Sequence, residues 1–161
     1  MDAHANTQNS TDAAGEGLIR IMKFRQQHMS GVCEIENSSF SQPFSADYFE
    51  QLARLHPETF LVAEKENQVL GYVVADTHRD LAHILSIAVR EAWRRRHVSL
   101  ALMRELIEKL RLEEVKEILL EVRRNNVAAR SLYERLGFES AGNIRGYYGG
   151  EDAALYHLKL C

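Results

Sequence analysis

Asn126-Val127-Ala128-Ala129-Arg130-Ser131-Leu132-Tyr133-Glu134-Arg135-Leu136-Gly137-Phe138 is the stretch from which the rest of the chain can be read. Asn126 is a residue type that caps helix N-termini, because its side-chain oxygen can accept an otherwise unpaired N–H of the first turn. The helix it starts is predicted to end at Leu136, with Gly137 at the C′ position and Phe138 supplying the apolar contact that often follows. Just upstream, Glu117–Val122 reads as a strand of buried type. Ile118, Leu120 and Val122 share one face of that strand, while Leu119 and Glu121 share the other.

Working outward, the same grammar of strand and helix repeats. Val98, Leu102, Leu106 and Leu110 recur at helical spacing, so Val98–Arg111 is predicted to be an amphipathic helix. His83–Val89 is a nearly continuous apolar run, which predicts a strand buried on both faces. Thr59–Ala63 and Val69–Ala75 read as a hairpin with Asn67 and Gln68 near its turn. Leu18–Phe24 alternates like a strand, and Gln27–Ser39 reads as helical. Ser45 is placed to cap a helix running to Leu55, with Phe49, Leu52 and Ala53 on one stripe. Ala153–Leu160 reads as a last strand. Buried strands followed by helices define an α/β or α+β sheet domain.

The chain has 161 residues, 45% apolar and 27% charged, with a net charge of −3. Those figures suit one globular domain, read here as residues 18–161. Residues 1–17 hold no Val, Ile, Leu, Phe, Tyr or Trp, so a mobile tail is expected there. Asp2, Asp12 and Glu16 give that tail the whole of the net charge, leaving the remainder balanced. No apolar run approaches the ~20 residues of a spanning helix and no signal peptide is read, so the expected compartment is the cytoplasm. Cys33 and Cys161 show no C-x-x-C spacing, which predicts free thiols and neither a disulfide framework nor a zinc site. No zinc pattern, phosphate-binding Walker loop or G-x-S-x-G elbow appears, so the expectation is no metal and no serine acyl-enzyme.

Trp93-Arg94-Arg95-Arg96-His97-Val98-Ser99 places three arginines at the start of a predicted helix. Cations oppose the positive end of the helix dipole, unless an anion is bound there. Free N–H groups beside guanidiniums suit a phosphate or pyrophosphate. A solvated basic turn is the other reading, and spacing alone does not separate the two. A nucleic-acid partner is not expected, because acidic residues balance the basic ones. Glu121, within a strand that reads as buried, would have its pKa raised by desolvation toward the range of a general base. A carboxylate at a strand end facing water is the alternative.

The stretch that opened the reading matches N-x-x-A-x-x-L-Y-x-x-x-G-F, and so resembles the GNAT family of N-acetyltransferases. Arg94–Ser99 resembles that family's acetyl-CoA signature, R/Q-x-x-G-x-G/A. His97 stands where the signature has its first glycine, and Ser99 at its second small position; a Cβ at position 97 resists backbone geometry that glycine adopts freely. Within the family the chain is most similar to protein N-terminal acetyltransferases, both RimI-type enzymes acting on a ribosomal protein and archaeal relatives of the eukaryotic subunits. Ile87-Ala88-Val89, Leu120-Glu121-Val122-Arg123, Leu132-Tyr133 and Gly146-Tyr147-Tyr148 followed by Glu151-Asp152-Ala153 carry that similarity. So do Ile35-Glu36, Phe40, Pro43-Phe44 and Ser45.

The resemblance implies a mixed sheet of about seven strands with about four helices and a splayed cofactor cleft. It further implies acetyl-CoA as cosubstrate, its pantetheine arm paired with the backbone of Ile87, Ala88 and Val89 and touched by Asn126 and Ala129. The pyrophosphate would lie on Arg94, Arg95, Arg96, His97, Val98, Ser99 and Leu100. Glu121 is implied as general base, Tyr133 as the acid that protonates the departing thiolate, and His83 as a second base. Phe40, Pro43 and Phe44, with a turn at Tyr147-Tyr148, would border the entrance for the N-terminal segment of a protein, ribosomal or nascent. Small-amine or lysine acetylation and a non-catalytic acyl-CoA-binding module are the alternatives. The sequence does not give the oligomeric state.

Overall fold

The computed structural model describes residues 17–160, so most of the expected tail, and Cys161, lie outside the described residues. Seven strands and four helices follow in the order β1 (Arg20–Lys23), α1 (Met29–Ser39), α2 (Ala46–Leu55), β2 (Phe60–Lys65), β3 (Gln68–His78), β4 (Leu81–Val89), α3 (Val98–Leu112), β5 (Glu117–Arg123), α4 (Val127–Arg135), β6 (Glu139–Tyr148) and β7 (Glu151–Lys159). The strands hydrogen-bond in the order β1-β2-β3-β4-β5-β7-β6. This is the mixed α/β fold that the sequence predicts. No described helix is long and apolar enough to cross a membrane.

The described residues gather into two compact units. One takes those up to Ala75 together with Ser86–Lys109. In it β1 pairs antiparallel with β2, and β2 with β3, so the predicted hairpin forms. Its turn is Glu66-Asn67, both in the left-handed region at φ 49° and 67°, the conformation a two-residue hairpin loop demands. The core of this unit is Val32, Ile35, Phe49, Leu52, Phe60, Leu70, Tyr72, Leu102 and Leu106, all buried. Ser45 caps α2 as predicted, its Oγ accepting the Tyr48 N–H at 3.1 Å.

The other unit takes Asp76–Leu85 and the residues from Leu110 on. Here the first residues of β4 pair in parallel with β5, Leu81 with Glu117 through His83 with Leu119. β5 pairs antiparallel with β7, and β7 with β6. Ile118, Leu120, Val122, Tyr133, Phe138 and Tyr156 form its core. Asn126 caps α4, its side chain accepting the Ala129 N–H at 3.1 Å. Gly137 follows the helix at φ 97°, a conformation that costs glycine nothing, and Phe138 N–H closes on the Tyr133 carbonyl at 3.0 Å.

Three sequence expectations change. β6 is absent from the sequence reading, and Tyr147-Tyr148, expected in a turn, end that strand. The turn is Gly149-Gly150, both at positive φ, with Tyr148 paired to Glu151 across it. β4 and β5 are not buried on both faces. Ala82, Ile84, Ser86 and Ala88 are buried while His83, Leu85 and Ile87 are half-buried, and in β5 Leu119 and Glu121 lie on the partly open face. The environment expected of Glu121, a strand closed on both sides, is therefore not the one it has.

Candidate active site

His83 and Glu121 are 38 positions apart in the chain and meet through the parallel register of β4 and β5. His83 is level with Leu119, and Glu121 lies two residues further along the same face of β5, so the two side chains are diagonal neighbours. The His83 Nε2–H donates to Glu121 at 2.6 Å to Oε2 and 3.0 Å to Oε1. Glu121 is 14% exposed and His83 34%, so the carboxylate is sheltered and the imidazole reaches water. The hydrogen bond to Glu121 pushes the His83 pKa above its ordinary value; burial works against this, and the charges of Glu121 and Asp76 add to it.

The Tyr147 and Tyr148 phenols feel the Glu121 charge, and Tyr148 in turn acts on Tyr133. Tyr133 is 5% exposed, between the rings of Phe138 and Tyr156 at 5.8 and 6.3 Å. Burial raises its pKa strongly, and the Tyr148 phenol adds to the effect, so Tyr133 stays protonated. Tyr148 is pushed up to about 12 by burial, then by Tyr147 and Glu121, with Arg123 opposing. The rings of Tyr147 and Tyr148 meet edge to face at 4.8 Å. Tyr147 is 47% exposed and its pKa is raised by burial and by the Glu121 charge. Sequence reasoning assigned no site role to Arg123. Its guanidinium lies 4.5 Å over the Tyr148 ring and also pairs with Glu151, which fixes the tyrosine from behind. Arg123 shares the Glu121 face of β5, and that alternation was the available signal.

The residues read as phosphate-binding lie in the first unit and are more varied than three free arginines. Arg94 is exposed, with its Nε–H donating to the Val89 carbonyl at 3.1 Å and its Nη2 reaching Ser39 Oγ at 3.5 Å. Arg96 stacks over Trp93 at 4.9 Å, and Lys65 lies 4.8 Å from the same ring. Arg95, Arg96 and His97 are exposed, and Val98, Ser99 and Leu100 open α3. Arg95 and His97 adopt φ of 63° and 62°. The backbone at His97 thus has the left-handed geometry that favours glycine. The exposed Arg95 and Arg96 guanidiniums beside the start of α3 are groups suited to hold a pyrophosphate.

Ala88 and Val89 are buried at the end of β4, with Ile87 half-buried. Asn126 and Ala129 are joined by the α4 cap, so the Asn126 side-chain oxygen is already engaged. Between α1 and α2, Phe40 and Pro43 are exposed. Phe44 differs from them, because its ring packs on Tyr48 and Phe49 at 4.7 and 5.9 Å. It anchors its loop more than it offers a surface.

A non-glycine residue at φ near +60° carries a cost of about 1–2 kcal/mol. His97→Gly is therefore expected to stabilise the protein by up to about 1 kcal/mol after the added freedom of the unfolded chain is set against it. Thermal denaturation would show a rise in Tm of about 2–4 °C; an unchanged or lower Tm would mean that the imidazole itself contributes.

A sheltered carboxylate hydrogen-bonded to an imidazole is a pair able to take up a proton. The chain matches the acetyltransferase (GNAT) family over residues 29–138 and belongs to it. It is similar to Ard1 from Thermoplasma volcanium, with a TM-score of 0.84 and 28% identity, covering 88% of this chain and 97% of that one. It is also similar to the ribosomal-protein-S18-alanine N-acetyltransferase of Escherichia coli, with a TM-score of 0.77 and 29% identity over 86% and 92% of the two chains. The N-alpha-acetyltransferase of Sulfurisphaera tokodaii is 29% identical over 88% of this chain and 93% of its own. The protein is an acetyl-CoA-dependent N-acetyltransferase.

Proposed function

We propose that this enzyme acetylates the N-terminal α-amine of proteins, with Glu121 as the general base, His83 as its proton-accepting partner and Tyr133 as the general acid. The 2.6 Å His83–Glu121 contact on the partly open face of β5 carries the reading. An α-ammonium group has a pKa near ~8, so part of it is protonated at neutral pH and must lose a proton to attack. Glu121 attracts that ammonium and takes its proton, and the His83–Glu121 pair then releases one to water. The amine lone pair forms the bond to the acetyl carbonyl carbon, the carbon–sulfur bond breaks, and Tyr133 donates its proton to the departing sulfur. Acetyl-CoA supplies the activated acetyl group, held by the Arg94–Leu100 loop and the backbone of Ile87–Val89. Tyr147 and Tyr148 grip the first residues of the peptide, each offering a flat apolar ring and a hydroxyl. The similarity to the S18-alanine enzyme makes a ribosomal protein one substrate to test.

A peptide with a free α-amine is expected to be acetylated, and the same peptide with a blocked N-terminus and an internal lysine is not. Mass spectrometry of the products distinguishes the two. Modification of the lysine peptide alone would replace this reading with side-chain acetylation.

A further inference from the structure

We propose that Glu36 is a positioning residue that fixes the loop of residues 40–45 in the shape that receives the peptide, an inference that rests on the reading of this loop as part of the peptide entrance. Glu36 holds the loop at both ends. Its backbone carbonyl accepts the Phe40 N–H at 3.1 Å, and its carboxylate Oε2 accepts the Phe44 N–H at 2.8 Å. The other carboxylate oxygen is itself held from behind. Oε1 accepts the Tyr72 hydroxyl and the Ser86 hydroxyl, the latter at 3.0 Å, and the Tyr72 and Ser86 oxygens lie 3.0 Å from each other.

All three members of that cluster are buried, Glu36 at 2%, Tyr72 at 0% and Ser86 at 8% exposure. A carboxylate in such a place is costly to desolvate unless donors surround it, and here three converge on it, from the approach to α2, from β3 and from β4. Packing would not require it, because Phe44 already has Tyr48 and Phe49 as ring neighbours. What the carboxylate adds is direction, since a hydrogen bond at Phe44 fixes the path of the loop while ring contacts tolerate sliding. That path decides where the exposed Phe40 and Pro43 stand. Ser86 immediately precedes Ile87, so the cluster ties the same loop to the strand that carries the proposed pantetheine-pairing backbone.

Three variants test this. Glu36→Met keeps the length of the side chain and removes the acceptors. Glu36→Gln can turn its oxygen to the Phe44 N–H and its NH2 to the Tyr72 and Ser86 oxygens, and so restores the clamp. Tyr72→Phe keeps the ring contacts with Phe49 and Phe60 and removes one donor, so the question stays answerable if Glu36→Met does not fold. Glu36→Met is expected to raise the KM for a peptide with a free N-terminus roughly tenfold, the size of one hydrogen bond to a charged group. Its kcat and acetyl-CoA KM stay unchanged, and hydrogen exchange at residues 40–45 speeds up. Glu36→Gln recovers both readouts, and Tyr72→Phe moves them in the same direction by less. Unchanged exchange across the loop, or equal rises in both KM values, overturns the positioning role. Faster exchange with an unchanged peptide KM leaves the clamp standing and overturns the loop's part in peptide binding.

Discussion

Glu121→Gln is expected to lower kcat by about 10²–10⁴-fold, the usual contribution of a positioned base, while acetyl-CoA binding stays as it is. Glutamine keeps the shape and can still accept from the His83 Nε2–H, so the fold and the β4–β5 register have no reason to change. What it removes is the negative charge that attracts the substrate ammonium and raises the proton affinity of His83. The pH profile carries the sign. In the wild type His83 binds a proton below a pKa raised above the ordinary histidine value, and the pair cannot accept another. The acid limb of kcat against pH therefore lies above that ordinary value. In Glu121→Gln the residual activity should show its acid limb displaced to lower pH, because the partner that raises His83 is gone. Stopped-flow or discontinuous thiol-release assays across pH measure both effects. An unchanged kcat, or an acid limb that stays in place, would remove the pair from the proton path.

The parts of this architecture that could be read from sequence are those with local rules. Ser45 and Asn126 each mark a helix start because an N-cap is a contact within three residues. α3 shows its buried stripe at helical spacing. β6 was illegible for a physical reason. It is the last strand in the sheet order and almost wholly exposed, so it has no apolar alternation, and Gly142 and Gly146 with Asn143 make it look like loop. Gly149-Gly150 was the overlooked signal, since two glycines between candidate strands form a hairpin. β4 misled in the opposite way. Leu85 and Ile87 are apolar yet half-buried, so a continuous apolar run does not by itself mean cover on both faces.

The site divides along the same line. Glu121 and Tyr133 were legible because they belong to motifs, but the contact between Glu121 and His83 depends on which residue of β4 is level with Leu119, and no local pattern encodes a register. The Glu36 cluster is further out of reach. Its members are separated by 36 and 50 positions from Glu36, and each looks ordinary alone: a glutamate on a helix, a tyrosine and a serine in strands. The arginine triplet shows the converse, since three similar residues in a row serve different ends. Arg94 holds the Val89 carbonyl, Arg96 covers Trp93 and Arg95 contributes a left-handed backbone.

Tyr133→Phe is expected to lower kcat by about 10²-fold, the low end of the range for a general acid, with little change in either KM. The low end follows from the chemistry of the leaving group, because a thiol of pKa about 8.5 departs with only modest assistance. The phenylalanine ring would keep the packing that Tyr133 has with Phe138 and Tyr156, so stability should be nearly unaffected. The shape of the profile is the stronger test. Burial and the neighbouring Tyr148 hold the Tyr133 proton well above the physiological range, so the phenol stays a competent donor at every pH where the enzyme is assayed. The ratio of wild-type to variant kcat should therefore be flat between the acid limb set by His83 and the highest pH the fold tolerates. A ratio that falls toward one as pH rises would mean that the group lost its proton in the wild type as well, and that burial does not protect it. A kcat equal to wild type at all pH values would assign protonation of the thiolate to water, and leave Tyr133 as a core aromatic.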